Sequence, residues 1–351
     1  MQENRFMRIL IYGINYSPEL TGVGKYTGEM AQALANAGHE IRVVTAPPYY
    51  PDWQVGAGFS AWRYGRELLK GVKVWRCPLW VPEQPSGLKR ILHLASFAIS
   101  SLPLMLWQGL FWHPDVVFVV EPPFFGVVGA LLTSWVNGAG AWLHIQDFEI
   151  DAGFELGLLP SSRLIHSVSM GLERWLMNRF DRVSTISEQM MKRLKTKGVD
   201  SGKCVYFPNW VDTKTVYPLQ ELNPLRAELA IAPDTVVALY SGSMGEKQGL
   251  EAMIAAAHLL AEDHPSILFV LCGEGSAKKR LVEIAQGMPN VRFLNLQPYE
   301  RLNALLNLAD IHLLPQVANA ADLVMPSKLK GMFASGRAVI ATAECGKLMN
   351  L

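Results

Sequence analysis

The sequence predicts an α/β protein with two Rossmann-like domains, each built on a parallel sheet. Short apolar runs alternate with helical patterns along most of the chain, as parallel strands and their crossover helices require. The alternation stops once, at residues 207–212, where a strand pattern ends in Pro208 and Asn209. Proline cannot donate to a sheet ladder and asparagine favours a turn. An ordinary exit into a loop would use the same residues, but the renewed alternation beyond favours a crossing between domains 1–211 and 212–351.

Length and composition support this division into two domains and limit the classes of binding partner. A chain of 351 residues is long for one ordinary core, and half of its residues are hydrophobic. Lys and Arg number 32 against 31 Asp and Glu, so no bulk charge attracts nucleic acid and any anion site must be local. The four cysteines are far apart without metal-type spacing, which favours reduced thiols in a cytosolic setting.

The first half contains a βαβ opening followed by further buried strands. Continuous apolar runs are typical of parallel strands that are covered on both faces. Strands are predicted at residues 8–12, 41–45, 72–76, 115–121, 141–145, 182–186 and 204–207, and helices at residues 25–37 and 164–180.

The loop between the first strand and the first helix is a candidate ligand loop. It contains Tyr16 and ends in Gly22 and Gly24 just before Lys25, so backbone N–H groups there could approach an anion or a sugar ring. Thr27 stands where a dinucleotide fingerprint has its third glycine. An NAD(P)-dependent enzyme is therefore disfavoured, although it remains an alternative.

Asp147 is the best-placed acid of the first half. The strand at residues 141–145 delivers it to the carboxyl edge of the sheet, where open α/β sheets bind ligands, and His144 precedes it on that strand. Either residue could orient a substrate hydroxyl, but Asp147 could equally cap a helix or close a turn. Asp147, Glu149 and Asp151 alternate like metal ligands, yet a solvated loop cluster is the favoured interpretation and no metal is predicted.

Two uncharged runs, residues 91–113 and 122–146, are long enough to span a bilayer. The serines and Pro103 of the first, and the prolines and glycines of the second, favour buried or membrane-facing helices instead. Lys89 and Arg90 precede the first run. We therefore predict peripheral binding to an anionic membrane, with spanning as the alternative.

The second half repeats the strand and helix order and contains a glycine-rich turn at residues 241–250. Strands are predicted at residues 236–240, 267–272, 291–294, 311–314 and 338–342, with a helix at residues 251–261. A glycine-rich turn with Lys247 before a helix could cradle phosphate, although Lys247 could simply be solvated. The turn is not a P-loop, because Gly-Lys-Ser/Thr is absent.

A second anion signal lies at residues 326–330. Ser327 is predicted to cap a helix, which puts Lys328 and Lys330 in a first turn where the helix dipole disfavours cations. A bound diphosphate would reverse that conflict, with helix N–H groups, the Ser327 hydroxyl and lysine converging on it. The alternative is that both lysines point into water.

These motifs together resemble retaining glycosyltransferases of family 4, which have the GT-B fold with a cleft between two Rossmann-like domains. The resemblance rests on Tyr16 to Gly24, on residues 207–212 beside the family's P-N-G-V-D hinge, on Gly273-Glu274-Gly275, and on residues 290–294 and 335–341. The uncharged helix, Gln146-Asp147 and residues 245–249 most resemble transferases of colanic-acid type, which build bacterial exopolysaccharide.

The resemblance implies a nucleotide diphosphate sugar donor, a lipid-linked saccharide acceptor in the biosynthesis of exopolysaccharide or O-antigen, and a location on the inner face of the cytoplasmic membrane. The sugar would be fucose or a related deoxyhexose, and neither a metal nor a cofactor is expected. The predicted sites are, for the donor, Ser243, Lys247, Gly273, Glu274, Asp322, Ser327, Lys328 and Lys330; for the acceptor-side loop, Tyr16, Gly22, Gly24 and Lys25; and for catalysis, Asp147 and His144.

The chain departs from the family pattern at several positions. Ser243 and Gln248 stand where the family has Arg and Lys, and its paired glutamates would fall on Asp322 and Lys330. Lys330 cannot accept a hydrogen bond from a ribose. The family also continues beyond the strand ending at residue 342, so an incomplete second domain is expected. A non-catalytic nucleotide-sugar-binding or membrane-scaffold protein is therefore an alternative function.

Overall fold

The computed structural model describes residues 6–19, 22–50, 52–83, 87–122, 124–155, 162–245, 248–315 and 328–342. The chain divides into two compact units, Met1–Pro208 and Asn209–Leu351, and the division falls inside the crossing segment at residues 207–212. Each unit has its own sheet. The predicted α/β class with two parallel-dominated sheets is confirmed.

Unit 1 contains an eight-stranded sheet in the order β3-β4-β2-β1-β5-β6-β7-β8. All neighbours are parallel except β3 and β4. The strands are β1 Arg8–Tyr12, β2 Glu40–Thr45, β3 Gly65–Leu69, β4 Val72–Arg76, β5 Val116–Glu121, β6 Gly140–Ile145, β7 Arg182–Thr185 and β8 Cys204–Tyr206. The helices are α1 Gly22–Asn36, α2 Gly87–Phe111, α3 Val127–Asn137, α4 Glu149–Glu155, α5 Arg163–Met177 and α6 Glu188–Thr196.

Four of these helices cover one face of the unit 1 sheet. Phe97 of α2, Leu131 of α3, Met177 of α5 and Leu194 of α6 belong to one buried apolar cluster, which also contains strand residues such as Leu143. Burial of the apolar side chains in this cluster is the main source of stability for unit 1. The outer surfaces of the same helices face away from the sheet.

The edge strand β3 was not predicted from the sequence. Its residues are mostly exposed, so it lacks the apolar run that marked the other strands. It pairs antiparallel with β4 through a two-residue turn, in which Lys70 and Gly71 have φ values of 50° and 82°. Positive φ at both positions is the geometry of a tight hairpin, and a Lys-Gly pair signals it less clearly than Asn-Gly does.

The two uncharged runs form different structures. The first forms α2, whose polar side chains bond into the unit: Ser101 Oγ lies 2.7 Å from Tyr12 Oη, and Gln108 Oε1 accepts from Arg42 Nη1 at 2.9 Å. Among the described residues, α2 is the one helix whose length and apolar composition would allow it to cross a membrane. The second run is not a spanning helix, because it is divided between α3 and β6.

Unit 2 contains a five-stranded parallel sheet in the order β11-β10-β9-β12-β13. Alternate residues of β9 and β10 contribute to two separate apolar clusters, so both faces of the sheet are covered. The strands are β9 Val236–Ser241, β10 Ile267–Cys272, β11 Val291–Leu294, β12 Ile311–Leu314 and β13 Ala338–Ala341. The helices are α7 Pro224–Glu228, α8 Glu251–Leu260, α9 Lys278–Ile284, α10 Leu302–Leu308 and α11 Lys328–Ala334.

Candidate functional site

The loops that follow β9 and β10 interlock through glycines. A Cβ at Gly273 would lie 1.8 Å from the carbonyl oxygen of Gly242, and one at Gly275 would lie 2.4 Å from that of Met244. Two backbone hydrogen bonds join the same loops: Gly242 N donates to Cys272 O at 2.9 Å, and Met244 N to Glu274 O at 2.8 Å. These close approaches exclude any side chain. The glycine-rich turn is thus held rigidly at the carboxyl edge of the unit 2 sheet.

Lys328 lies over this turn. It is the first residue of α11, and its Nζ would be 2.1 Å from a Cβ at Gly242, so the ammonium occupies the space that the glycine leaves. Nζ donates to Tyr240 Oη at 2.9 Å and lies 4.6 Å from the centroid of the Tyr240 ring. The Tyr240 hydroxyl in turn donates to the Ser243 carbonyl at 2.5 Å. Tyr240 therefore fixes the lysine against the turn.

The environment of Lys328 favours an anionic ligand. Burial lowers the pKa of Lys328 to about 8. Its recorded contacts within the described ranges are to Tyr240, and no carboxylate there forms an ion pair with it. A half-buried cation without a counter-ion is unfavourable. A phosphate group beside Nζ and the turn would supply that counter-ion, and charge-assisted hydrogen bonds are among the strongest in proteins.

The other predicted donor residues are only partly gathered at this place. Gly273 forms the interlock, while Glu274 is ion-paired to Lys278 at 2.6 Å. The Lys330 ammonium instead donates to the backbone carbonyl of Asn209, and burial lowers the pKa of Lys330. Ser243 is exposed and takes part through its carbonyl. Lys247, Asp322 and Ser327 lie outside the described residues.

The predicted acceptor-side loop is organised around Glu19, which the sequence did not single out. Glu19 is buried: its Oε1 accepts from the backbone N of Tyr49 and of Tyr50, both at 3.2 Å, and its Oε2 accepts from Asn15 Nδ2 at 2.9 Å. A Cβ at Gly24 would lie 2.6 Å from Glu19 Oε2. Gly24 is thus needed for the packing of the loop against α1.

The remaining loop residues have separate surroundings. Tyr16 is 2% exposed, and the Arg76 guanidinium lies 5.9 Å from its ring centroid. Gly22 starts α1 with a φ of 61°, and a Cβ there would meet no atom within 4 Å. Lys25 is paired with Glu29 at 3.8 Å. Tyr16 is therefore a core residue of the unit, while Gly22 and Lys25 lie at the outer start of α1.

Asp147 lies at the carboxyl edge of the unit 1 sheet, two residues beyond β6. Its Oδ1 has no hydrogen-bond partner in the described part of the chain. Burial raises the pKa of Asp147 to about 6, and the nearby positive charge of Arg90 opposes that rise. Arg90, in the first turn of α2, is thus near the catalytic candidate. From the sequence, this arginine was expected only against lipid head groups.

Two further carboxyl groups lie near this edge. Glu121 ends β5 and is fully buried, and neither of its carboxyl oxygens is hydrogen-bonded within the described ranges; burial raises its pKa well above the usual value. Glu149 Oε2 accepts from Phe124 N at 2.7 Å. The prediction of a solvated loop cluster is wrong in two respects: Glu149 and Asp151 lie in α4, and Asp151 is buried and ion-paired with Arg193 and Lys197. Among the described residues, no group of three or more such side chains is arranged to hold a metal.

The surroundings of His144 are those of a buried structural residue. It is 4% exposed, its Nδ1 is 2.9 Å from Ser184 Oγ, and Gln146 Nε2 lies 3.1 Å from its Nε2. Burial lowers the pKa of His144 to about 4, which keeps the ring neutral. Both ring nitrogens are thus engaged within the unit. Of the two catalytic candidates, Asp147 has the unpaired atom.

The comparisons with known proteins assign this architecture to a family. Residues 21–210 match the glycosyl transferase 4-like domain, and residues 223–348 match the glycosyl transferases group 1 domain. The chain belongs to the glycosyltransferases of these two domain families and has the GT-B fold. The predicted resemblance to family 4 enzymes is confirmed.

The relatives point in the same direction. The chain is 48% identical over 345 residues to the Escherichia coli (strain K12) protein described as "Putative colanic acid biosynthesis glycosyl transferase WcaI", covering 96% of this chain and 84% of the other. Its fold is similar to WaaG, a glycosyltransferase involved in lipopolysaccharide biosynthesis, with a TM-score of 0.65, 16% identity and coverage of 97% and 82%. It is also similar to Anabaena HepE in complex with UDP and glucose, with a TM-score of 0.63, 16% identity and coverage of 95% and 80%.

Proposed function

We propose that the protein transfers a sugar from a nucleoside diphosphate donor to a lipid-linked saccharide during the assembly of a bacterial exopolysaccharide of colanic-acid type. The sugar is fucose or a related deoxyhexose. The observation that carries the donor site is the Lys328 ammonium over Gly242, 2.9 Å from Tyr240 Oη. The 48% identity to the Escherichia coli relative supports the pathway.

On the donor side, the chemistry requires charge stabilisation. As the sugar leaves and becomes oxocarbenium-like, the diphosphate gains negative charge. The Lys328 ammonium, held over the turn by Tyr240, stabilises that charge. We propose that transfer needs no metal ion or cofactor, because a protein cation can neutralise the leaving diphosphate. We also propose retention of configuration, which the resemblance to family 4 enzymes implies.

On the acceptor side, Asp147 acts on the acceptor hydroxyl group to which the sugar is transferred. Its unpaired Oδ1 can accept a hydrogen bond from a hydroxyl group, and this contact strengthens as the hydroxyl loses its proton. The ionised form is the acceptor. Since the pKa of Asp147 is raised to about 6, the group is mostly ionised at neutral pH and remains basic enough to share a proton.

We place the enzyme at the inner face of the cytoplasmic membrane. The outer side of α2 exposes Ile99 and Phe111, with 73% and 70% of each residue accessible, and the helix begins near Lys89 and Arg90. An apolar helix surface with a basic start can lie in a membrane interface. Such attachment would bring a lipid-linked acceptor to unit 1.

A panel of nucleotide diphosphate sugars tests the proposal. A donor that binds the native state raises the melting temperature by mass action, and we expect a GDP-deoxyhexose or UDP-sugar to do so while NAD(P) does not. The stabilising donor should then transfer its sugar to a bacterial lipid extract in excess chelator, with the product anomer determined by NMR. Binding without transfer or donor hydrolysis would favour the non-catalytic alternative, and inversion of the anomer would contradict retention.

A further inference from the structure

The outer face of α5 carries an apolar stripe. Leu164, Val168, Leu172 and Trp175 recur at helical spacing and are 73%, 61%, 51% and 50% exposed. Apolar residues at this spacing normally face a core. The core side of α5 is occupied by other residues, including Leu176 and Met177. We call these four exposed residues the α5 stripe.

A polar groove runs beside the stripe, between α5 and α6. The cavity measures about 460 Å³, and its lining includes His166 and Arg174 from α5, Arg193 and Lys197 from α6 and its C-terminal end, and Asp151 from α4. We call this cavity the α5–α6 groove. It therefore presents four basic side chains and one acidic side chain next to an exposed apolar surface.

Two of the basic side chains of the groove are paired with carboxylates. Asp151 pairs with Arg193 at 2.8 Å and with Lys197 at 2.9 Å, and the buried Glu173 pairs with Lys197 at 2.5 Å. Two carboxylates thus balance two cations.

Arg174 is additional to these pairs. No hydrogen bond or ion pair of its guanidinium is recorded within the described residues, where it lies across the backbone of Gly198. The acid of α5, Glu173, is buried, so the outer face of the helix carries no negative charge.

We propose that the α5–α6 groove binds the phosphate head group of a membrane lipid while the α5 stripe enters the apolar part of the interface. A guanidinium binds phosphate through charge-assisted hydrogen bonds, and an apolar helix face beside it suits the attached chains. This inference deepens the proposed function and rests on its membrane location. It adds a specific head-group site to unit 1, separate from the outer surface of α2.

Vesicle binding tests the proposal with the full chain. We compare vesicles of phosphatidylcholine alone with vesicles containing phosphatidic acid, whose head is a phosphate monoester, or phosphatidylglycerol at matched charge. We expect the tightest binding to phosphatidic acid. Arg174→Gln should weaken that binding about fivefold, as expected for one cation at a membrane surface, and Leu172→Asp should weaken binding to all three vesicles.

The controls separate this site from a general surface effect. Leu259→Asp, at a 77% exposed leucine of α8, and Lys195→Gln, at an exposed lysine of α6, should bind like the parent. Ile99→Asp tests the α2 surface independently. Unchanged circular dichroism and unchanged donor binding in every variant show that folding and the donor site are intact, so loss of vesicle binding alone does not bear on sugar transfer.

Several results would overturn the proposal. One is parent-like vesicle binding by both Arg174→Gln and Leu172→Asp, especially if Ile99→Asp abolishes binding. Another is calorimetric binding of inorganic phosphate to parent and Leu172→Asp alike without preference for phosphatidic acid, which would assign the groove to a soluble anion. A third is a parent dimer in light scattering that Leu172→Asp converts to a monomer, which would assign the stripe to a second copy.

Discussion

Lys328 and Asp147 share one physical property at the residue scale: burial favours the neutral form of each. The pKa of Lys328 falls to about 8 and that of Asp147 rises to about 6, mainly through loss of hydration. Groups shifted towards neutrality are common at functional sites because they gain or lose charge near the working pH. Each therefore has an expected response to pH and to substitution.

Asp147→Asn should lower turnover by about 100-fold or more while leaving donor affinity unchanged, because the amide cannot take a proton from the acceptor hydroxyl. In the parent, the rate should rise as pH increases through about 6, because the carboxylate forms in that range. This rise of the rate with pH should be absent from Asp147→Asn. Initial rates and donor titrations between pH 5 and 8 measure both effects.

Glu188→Gln, at an exposed acid of α6, is the control and should behave like the parent. Equal turnover of Asp147→Asn and the parent, with intact circular dichroism, would reject the catalytic role and return attention to His144.

The single residues were only partly predictable from the sequence. Asp147 was located because a strand end fixes its position at the sheet edge. Glu19 and Glu121 were missed because their burial depends on distant segments: Glu19 is bonded by the backbone of Tyr49 and Tyr50. Lys328 was found as a cation at a helix start, but its contact with Tyr240 of β9 required the tertiary structure.

At the scale of elements, the interlocked loops after β9 and β10 show why glycine occurs there. From the sequence, the glycines of this region were expected to make room for a bound phosphate. In the structure, Gly273 has a φ of 153° and approaches the Gly242 carbonyl too closely for a side chain. Internal packing alone therefore requires Gly273, and the glycine-rich turn depends on it for its position.

Gly273→Ala should destabilise unit 2 by about 2 kcal/mol or more, through backbone strain together with the clash against Gly242. Gly287→Ala is the matched control: its φ is also positive, at 83°, but a Cβ there meets no atom within 4 Å. The control should cost about 1 kcal/mol, the ordinary cost of a left-handed backbone conformation for an L-residue. Chemical denaturation measures both, and equal destabilisation would show that the clash is relieved without cost.

The elements also show where sequence patterns suffice. β1 and β10 have the predicted boundaries because nearly continuous apolar runs mark strands covered on both faces. β3 was missed because it is an exposed edge strand, and α4 was assigned to a loop because its acids mask a short helix. Exposed or short elements carry little periodic signal.

At the scale of the whole molecule, unit 1 exposes apolar residues on the outer surfaces of α2, α3 and α5. Ile99, Trp135 and Leu164 are examples, with 73%, 54% and 73% of each residue accessible. Extended apolar surface of this kind marks an interaction site. The length of α2 alone could not distinguish spanning from surface binding, but its bonded Ser101 and Gln108 attach it to the sheet of unit 1.

Membrane extraction tests the peripheral attachment. High salt should release part of the protein by screening Lys89, Arg90 and other basic groups, and alkaline carbonate should release the remainder because α2 stays packed on its own unit. Immunoblotting of the supernatant and pellet measures the release, with an integral membrane protein as the control. Release by detergent alone would contradict peripheral binding and favour a spanning α2.

The central claim is that the turn at Gly242 and Lys328 binds the diphosphate of a sugar donor, and titration calorimetry at several pH values tests it most directly. The titrant is the nucleoside diphosphate of the donor that gives the largest thermal shift. Lys328→Met should weaken binding by about 10- to 100-fold, which corresponds to loss of a charge-assisted contact. Lys279→Met, at an exposed lysine of α9, should bind like the parent.

The parent affinity should also fall as pH rises through about 8, because the free protein then loses the Lys328 proton that diphosphate binding requires. Above that pH the dissociation constant should increase by about tenfold per pH unit, and Lys328→Met should lack this dependence. Parent-like affinity of Lys328→Met between pH 7 and 9 would contradict the claim.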